Sequence, residues 1–190
     1  MIVLPPMPPE QTASWMGLLD LHERLADGWT LIGGQLVHLH CAERGQFPVR
    51  PTNDADTVID VRASLRPGVT GSPTLPTAGG TQALQRSETA RVSVAGREGS
   101  VRRPNLVGAL VGKAAALSNA GDPGLGRHRR DFVVLARLLT ARDFRTEELT
   151  KTDRQRLRAM VAAAKKDRAL LLEVPDAENS LDRLATAGEL

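Results

Sequence analysis

The sequence has little cysteine, few aromatic residues and no long apolar run. Cys41 is the only cysteine among 190 residues, which excludes an intramolecular disulfide and favours a reducing compartment. With two Trp, three Phe and no Tyr, the core must consist mainly of aliphatic side chains. No apolar segment approaches the ~18 residues that span a bilayer, and the N-terminus lacks the basic flank of a signal peptide. These absences predict a cytoplasmic protein without a membrane segment.

Charge is nearly balanced in total but clustered along the chain. The sequence has 25 Lys and Arg against 22 Asp and Glu, a net charge of +3. Basic residues gather at two places in its last third, which are Arg127, Arg129 and Arg130, and then Arg154, Arg156, Arg158, Lys165, Lys166 and Arg168. Such clusters are either solvated helix faces or a surface that contacts phosphates without reading sequence. The shortage of aromatics disfavours base stacking on single strands, so a folded RNA is the better polyanion candidate.

Hydrophobic spacing predicts strands and helices in the first half of the chain and helices alone in the second. The predicted elements are a helix at 10–27, a strand at 29–32, a helix at 35–43, strands at 55–61 and 91–94, and helices starting at 104, 131 and 152. The expected fold class is α+β, with a small mixed β-sheet lobe and flanking helices over residues 1–100. A helical C-terminal lobe is expected over residues 101–190.

Two short motifs carry most of the functional information. In "IGG" (32–34), Gly33 and Gly34 end a strand and begin a helix, where the backbone can approach a phosphate and free N–H groups attract anions. In "DAD" (54–56), Asp54 and Asp56 point to the same face of the next strand, roughly 7 Å apart. Two carboxylates so placed suit Mg²⁺ bound with a nucleoside triphosphate. Taken alone, each motif is more typical of a tight turn than of a phosphate or metal site.

Together, and in this order, the motifs resemble the signature of the DNA-polymerase-β-like nucleotidyltransferase superfamily. Three later segments, "TQALQRSE" (81–88), "RRPNLVGALVGKAAAL" (102–117) and "RHRRDFVVLARLL" (127–139), are similar to its AbiEii-type branch. That branch supplies toxins of bacterial toxin–antitoxin and phage-defence systems, including the MenAT type. The resemblance covers roughly residues 28–140 and implies a nucleotidyltransferase lobe whose active site the helical lobe completes.

The resemblance assigns roles to five residues of the first lobe. Gly33 and Gly34 would admit the triphosphate of an NTP, and Asp54 and Asp56 would be catalytic and hold Mg²⁺. Thr52 matches a hydroxyl residue just ahead of the aspartates, where it would hydrogen-bond a phosphate. For Thr52, a turn-capping role remains the alternative.

Three further residues complete the implied site. Lys113 would neutralise a phosphate oxygen or contact the base; its alternative is a solvated or snorkelling helix lysine. Asp131, at the position of an aspartate that opens the next helix, would activate the attacking hydroxyl or join the metal shell. Its alternative is a first-turn acid that favours the helix dipole. Relatives have a third carboxylate on a further strand, and Glu88 is the substitute expected here. Arg127, Arg129 and Arg130 are candidate RNA contacts.

The implied activity is that of a toxin that transfers NMP from an NTP to an acceptor with Mg²⁺. The 3′ end of tRNA is the expected acceptor, and a cognate antitoxin protein is the expected partner. Two alternatives stay open. One is a small-molecule nucleotidyltransferase of the aminoglycoside-modifying kind. The other is a catalytically degenerate module of the same fold that binds a partner, which the missing third-carboxylate strand favours.

Overall fold

The structure, a computed structural model, describes residues 1–46, 56–59, 79–118, 124–145 and 147–190. The chain divides into two compact units, residues 1–105 and 106–190. The α+β class is confirmed, with a small mixed sheet and flanking helices in the first unit and helices alone among the described residues of the second. Among the described residues, no helix has both the length and the apolar character needed to cross a bilayer.

The described part of the first unit contains five strands in two small sheets. Its elements are β1 (Ile2–Val3), α1 (Pro9–Arg24), β2 (Trp29–Leu31), α2 (Gly33–Glu43), β3 (Thr57–Ile59), α3 (Gly80–Gln85), β4 (Ser87–Val94) and β5 (Arg97–Pro104). One sheet has the order β1-β4-β5, with β1 parallel to β4 and β4 antiparallel to β5. The other is the antiparallel pair β2-β3, in which Thr30 lies opposite Val58.

The β4–β5 hairpin differs from the prediction of a single strand at 91–94. Its two-residue turn, Ala95 and Gly96, has φ values of 47° and 85°, as a tight hairpin turn of the primed type requires. The strand β5 continues to Pro104. The prediction that a helix starts at Pro104 is therefore wrong, because this residue ends a strand. Because β5 belongs to the hairpin, the first unit extends to Asn105.

Helix α1 packs its apolar face on the β4–β5 hairpin. Trp15, Leu18 and Leu19 are buried, as the spacing of the predicted helix requires. Leu19 presses on Gly99 of β5, where a Cβ would lie 2.9 Å from Leu19 Cδ2. The absence of a side chain at Gly99 therefore lets the helix approach the strand closely.

The described residues of the second unit form five α-helices. They are α4 (Leu106–Ala115), α5 (Leu125–Arg137), α6 (Lys151–Lys166), α7 (Arg168–Glu173) and α8 (Ala177–Ala187), with 3₁₀ turns at Ala116–Ser118 and Ala141–Phe144. Nearly every residue of α4 is buried, since α5 and α6 both pack on it. The core residues that periodicity predicts on α5 and α6, including Phe132, Leu135, Leu157 and Met160, are buried.

Two helices differ from the sequence prediction. Helix α5 begins at Leu125, six residues before the predicted start at Asp131. The helix predicted to start at Thr152 is followed by a separate helix, α7, because Asp167 ends α6 and its side chain accepts a hydrogen bond from the Leu170 amide at 3.2 Å. The tail after Pro175 is a full helix, α8, with Leu181 and Leu184 buried.

Candidate active site

The pairing of β2 with β3 brings the glycine motif and the second aspartate of the DAD motif to the same end of one ladder. Leu31 lies opposite Thr57, and the Ile32 amide donates to the Asp56 carbonyl at 2.8 Å. The chain turns directly after Ile32, where Gly33 adopts a φ of +72° and begins helix α2. A left-handed φ of this kind favours glycine over residues that carry a side chain.

The Asp56 side chain lies against this glycine. A Cβ at Gly33 would stand 2.2 Å from Asp56 Oδ2 and 3.0 Å from both Cβ and Cγ of Asp56. Residue 33 must therefore be glycine for two reasons, its backbone conformation and the carboxylate beside it. Asp56 is exposed, so its oxygens face solvent at the start of α2.

This arrangement has a clear electrostatic consequence. The start of α2 presents N–H groups without an intrahelical partner, and the positive end of the helix dipole lies beside the Asp56 carboxylate. A phosphate that approaches the same helix start also meets the Asp56 negative charge. A cation placed between the two anions removes that repulsion, and Mg²⁺ prefers such carboxylate and phosphate oxygens.

Two of the predicted site residues of the first unit, Asp54 and Thr52, lie outside the described residues. Gly34 is the second residue of α2 and is half-buried. Gln35 follows it and is fully buried; its Nε2 donates to Ser14 Oγ at 2.9 Å, which ties the first turn of α2 to α1. Within the described ranges, no group of three His, Cys, Asp or Glu side chains is arranged to hold a metal ion.

Lys113 and Asp131 form a buried ion pair within the second unit. The Lys113 ammonium donates to Asp131 Oδ2 at 2.6 Å, and the side chains are 7% and 10% exposed. The alternative of a solvated lysine is therefore wrong. The alternative of a first-turn acid is also wrong, because Asp131 is the seventh residue of α5 and faces α4. The resemblance implies an aspartate at the start of this helix, and Asp131 does not lie there.

A buried pair of this kind fixes two charges in place. Removing both groups from water costs several kcal/mol per ion, which their attraction offsets only in good geometry. Hydrophobic side chains of similar volume would stabilise α4 and α5 at least as well. The pair therefore holds an ammonium group at a defined position on α4.

Glu88, the expected third carboxylate, is engaged by an arginine that the sequence analysis left without a role. On β5, Arg103 lies directly opposite Glu88 of β4, and its Nη2 is 3.2 Å from Glu88 Oε1. The same nitrogen donates to both carboxylate oxygens of Glu43, at 2.6 and 2.8 Å, while Nη1 donates to His40 Nδ1 at 2.9 Å. Arg103 is buried, so Glu43 and Glu88 balance a guanidinium charge.

His40 completes this cluster as a neutral ring. Its Nε2 donates to the Pro104 carbonyl at 3.2 Å, which leaves Nδ1 to accept from Arg103. Burial lowers the pKa of His40, and the nearby Arg103 charge acts in the same direction. The cluster fastens the last turns of α2 to β5 and so steadies the helix that begins at Gly33.

The three arginines predicted to contact RNA differ in their surroundings. Arg129 Nη1 lies 3.2 Å from Asp167, and Arg130 forms a close ion pair with Glu173. Arg127, in the first turn of α5, is exposed. Arg129 and Arg130 thus already hold α7 to α5, and Arg127 is the arginine of this cluster best placed to meet a ligand.

The chain matches no protein-family model, no curated protein and no solved structure. The nucleotidyltransferase resemblance therefore depends on the motifs and on the geometry of the residues that carry them.

Proposed function

We propose that this protein is a Mg²⁺-dependent nucleotidyltransferase and the toxin of a cytoplasmic toxin–antitoxin pair. It transfers NMP from an NTP to an acceptor hydroxyl, with the 3′ end of tRNA as the leading acceptor, and releases pyrophosphate. One observation carries the proposal, which is the Asp56 carboxylate packed on Gly33 at the start of α2. A turn alone does not require an exposed acid at that position.

The donor chemistry at Gly33 and Asp56 fits the ion that the proposal needs. Asp56 offers exposed, hard carboxylate oxygens beside free backbone N–H groups, which suits a magnesium-bound triphosphate. Asp54 and Asp56 would hold the ion. When bound, Mg²⁺ neutralises the triphosphate and makes its phosphorus more electrophilic. Gly33 and Gly34 keep side chains away from the phosphates at the start of the helix.

In the second unit, the proposal uses the Lys113–Asp131 pair. By the resemblance, Lys113 would neutralise a phosphate oxygen, and Asp131 holds its ammonium group in position. The 2.6 Å contact and the burial of both groups support this division of roles. The resemblance alone would have given Asp131 a more direct part, as the base that activates the acceptor.

The decisive experiment is transfer in vitro. Purified protein is incubated with Mg²⁺, each labelled NTP and total RNA, and the products are separated by size. Label on tRNA is expected with the native protein and is expected to be lost in Asp54→Ala and Asp56→Asn. Asp27→Asn is the matched control, since Asp27 is an exposed acid of the same unit that pairs with Arg102 at 3.2 Å. Labelling that persists in Asp54→Ala would contradict the assigned mechanism.

The toxin role has its own test. Expression of the native protein is expected to arrest bacterial growth, and Asp56→Asn is expected to leave growth normal. A small neighbouring, co-transcribed gene whose product restores growth would identify the antitoxin. Normal growth under native expression, with transfer intact in vitro, would remove the toxin role and keep the enzyme.

A second candidate is a catalytically degenerate module that binds a partner protein. The ion pair between Glu88 and Arg103 favours it, because a carboxylate that balances Arg103 is less available as a third metal ligand. Calorimetry with NTP and Mg²⁺ separates the two candidates. Binding that depends on Asp56 supports the enzyme, and no binding supports the degenerate module.

A further inference from the structure

The solvent-facing side of α6 is basic and carries no acid. The helix has six Lys and Arg residues and a single acid, Asp153, which is buried and caps the helix start through Thr150. Leu157, Met160 and Ala164 form the opposite, buried side. The exposed residues, which we call the α6 basic face, are Lys151, Thr152, Gln155, Arg158, Ala159, Ala162, Lys165 and Lys166.

The cations on this face are regularly spaced with small neutral residues between them. Lys151, Arg158 and Lys165 are seven residues apart in turn, which places them along one line at intervals of about 10.5 Å. Ala159 and Ala162 are exposed on the same face, and their small side chains do not protrude between the cations. A flat or gently curved polyanion can therefore contact several cations at once.

Helix stability does not explain this pattern. Solvated helix faces usually place acids three or four residues from bases, and none of the exposed residues of α6 is an acid. Lys165 and Lys166 favour the negative end of the helix dipole, but Lys151 lies at the positive end, where a cation is unfavourable. Lys165 finds a partner in Asp182 of α8. Lys151, Arg158 and Lys166 form no ion pair with another described residue.

The net positive charge of the whole chain comes from the helical unit that contains α6. Residues 106–190 contain 15 Lys and Arg against 12 Asp and Glu, whereas residues 1–105 contain ten of each. The net charge of +3 therefore comes from the helical unit, and α6 is its most basic element. A long-range attraction toward polyanions would act on this unit first.

We propose that the α6 basic face binds the phosphate backbone of a double-helical nucleic acid. A duplex carries about one negative charge per 1.7 Å of its axis, so phosphates are available to every cation along the helix. Residues 106–190 contain no Trp or Tyr, Phe132 is fully buried and Phe144 is half-buried, so this unit offers little for stacking unpaired bases. That the natural duplex is an RNA stem rests on the proposed function; the phosphate recognition itself does not.

The strength of the contact has a measurable signature in its salt dependence. Each neutralised phosphate contributes about −0.9 to the slope of log K against log salt. Lys151, Arg158 and Lys166 together predict a contribution of about −2.7, which is a loss of about 40-fold in affinity between about 50 and 200 mM salt. Acidic polypeptides lack the regular phosphate array and are expected to bind less strongly.

The test measures binding without nucleotide or Mg²⁺, so it does not depend on catalysis. Fluorescence anisotropy follows the full-length protein with a labelled RNA duplex, the same duplex as DNA, and polyglutamate. The test variant is Lys151→Ala/Arg158→Ala/Lys166→Ala. The control, Arg24→Ala/Arg91→Ala/Arg142→Ala, removes the same charge from exposed arginines elsewhere. Circular dichroism and thermal unfolding confirm that both variants fold.

The expected result is binding to both duplexes. The slope of log K against log salt is expected to become less negative by about 2 to 3 in the α6 variant and to stay unchanged in the control. A preference for RNA over DNA would identify an RNA stem as the natural ligand. Equal losses in the two variants would reduce the effect to net charge and overturn the proposal. Stronger binding of polyglutamate than of either duplex would also overturn it, in favour of an acidic protein partner. Duplex binding without any nucleotidyl transfer would leave this proposal standing and remove the proposed enzyme.

Discussion

The carboxylate of Asp56 lies against the α-carbon of Gly33, so close that a Cβ on residue 33 would stand 2.2 Å from Oδ2. The two residues are far apart in sequence, and the antiparallel pairing of β2 and β3 brings them together. Their contact brings the glycine motif and the second aspartate of the DAD motif to one place in the first unit. Its consequences can be measured separately from any catalytic activity.

We expect Gly33→Ala to lower stability and to abolish nucleotidyl transfer. The φ of +72° is strained for alanine, at a cost on the order of 1–3 kcal/mol, and the new methyl group must push Asp56 away. Gly45→Ala is the matched control, because Gly45 also has a positive φ, +64°, but has open space around it. Urea unfolding and the transfer assay, applied to both variants, separate the backbone cost from the displacement of Asp56.

The displacement can be isolated with a double variant. Adding Asp56→Ala to Gly33→Ala removes the oxygen nearest the new methyl group, so part of the lost stability should return. Gly33→Ala that loses no more stability than Gly45→Ala, and still transfers NMP, would show that the contact does not position Asp56. Loss of stability without relief in the double variant would assign the effect to φ alone.

The buried pair of Lys113 and Asp131 predicts a strong asymmetry between single and double variants. Lys113→Met leaves a buried carboxylate without its cation, and Asp131→Asn leaves a buried ammonium without its anion. Each change is expected to lower the free energy of unfolding by about 3–5 kcal/mol. Denaturant unfolding of the full-length protein measures this directly.

Lys113→Met/Asp131→Leu keeps the site filled and removes both charges, so its stability is expected to return close to the native value. This variant also separates structure from chemistry. A stable double variant without nucleotidyl transfer is the expected result. A stable double variant with full transfer would make the pair a structural feature and withdraw its proposed role.

The sequence was sufficient to predict the elements that carry the glycine and aspartate motifs. A short strand followed by two glycines and an apolar run leads to β2 and α2, because these signals are local. The strand β5 was missed, since "REGSVRRP" has a single apolar position, Val101, and its pairing with β4 decides its conformation. Local propensity is weak where cross-strand contacts determine the structure.

Long-range side-chain partners were the part that sequence could not supply. Lys113 and Asp131 were singled out by their order in the chain, but nothing local indicates that they are buried against each other. Arg103 received no role, because its partners Glu43, Glu88 and His40 come from two other elements. A charged residue at an otherwise inward position of a strand is the one signal that would have marked Arg103.

The arginines at the start of α5 are expected to contribute unequally to RNA binding. Arg127 is exposed, whereas Arg129 and Arg130 pair with Asp167 and Glu173. Arg127→Ala is therefore expected to reduce the salt slope of RNA binding by about 1, and Arg129→Ala to change it little. Anisotropy titrations at several salt concentrations measure both. A larger change in Arg129→Ala than in Arg127→Ala would show that RNA displaces the ion pair with Asp167.

Stability is expected to depend on pH through His40. Burial holds the pKa of His40 below its ordinary value of 6.5, so the native state keeps the ring neutral while the unfolded chain protonates it. Below pH 6.5 the unfolded state then binds more protons than the native state, and acid destabilises the fold. The contribution is complete above pH 6.5 and declines as the pH falls toward the lowered pKa, by at most ~1.4 kcal/mol per pH unit.

His40→Gln removes this titration and can retain both hydrogen bonds, since its amide can accept from Arg103 and donate to the Pro104 carbonyl. Urea unfolding at about pH 7.5, 6.5 and 5.5 is therefore expected to give a flatter profile for His40→Gln than for the native protein. His22→Gln serves as the control, because the pKa of His22 is also lowered by burial but its ring is only partly covered. Two results would contradict this assignment to His40. One is a native pH profile of stability as flat as that of His40→Gln; the other is a profile of His22→Gln as flat as that of His40→Gln.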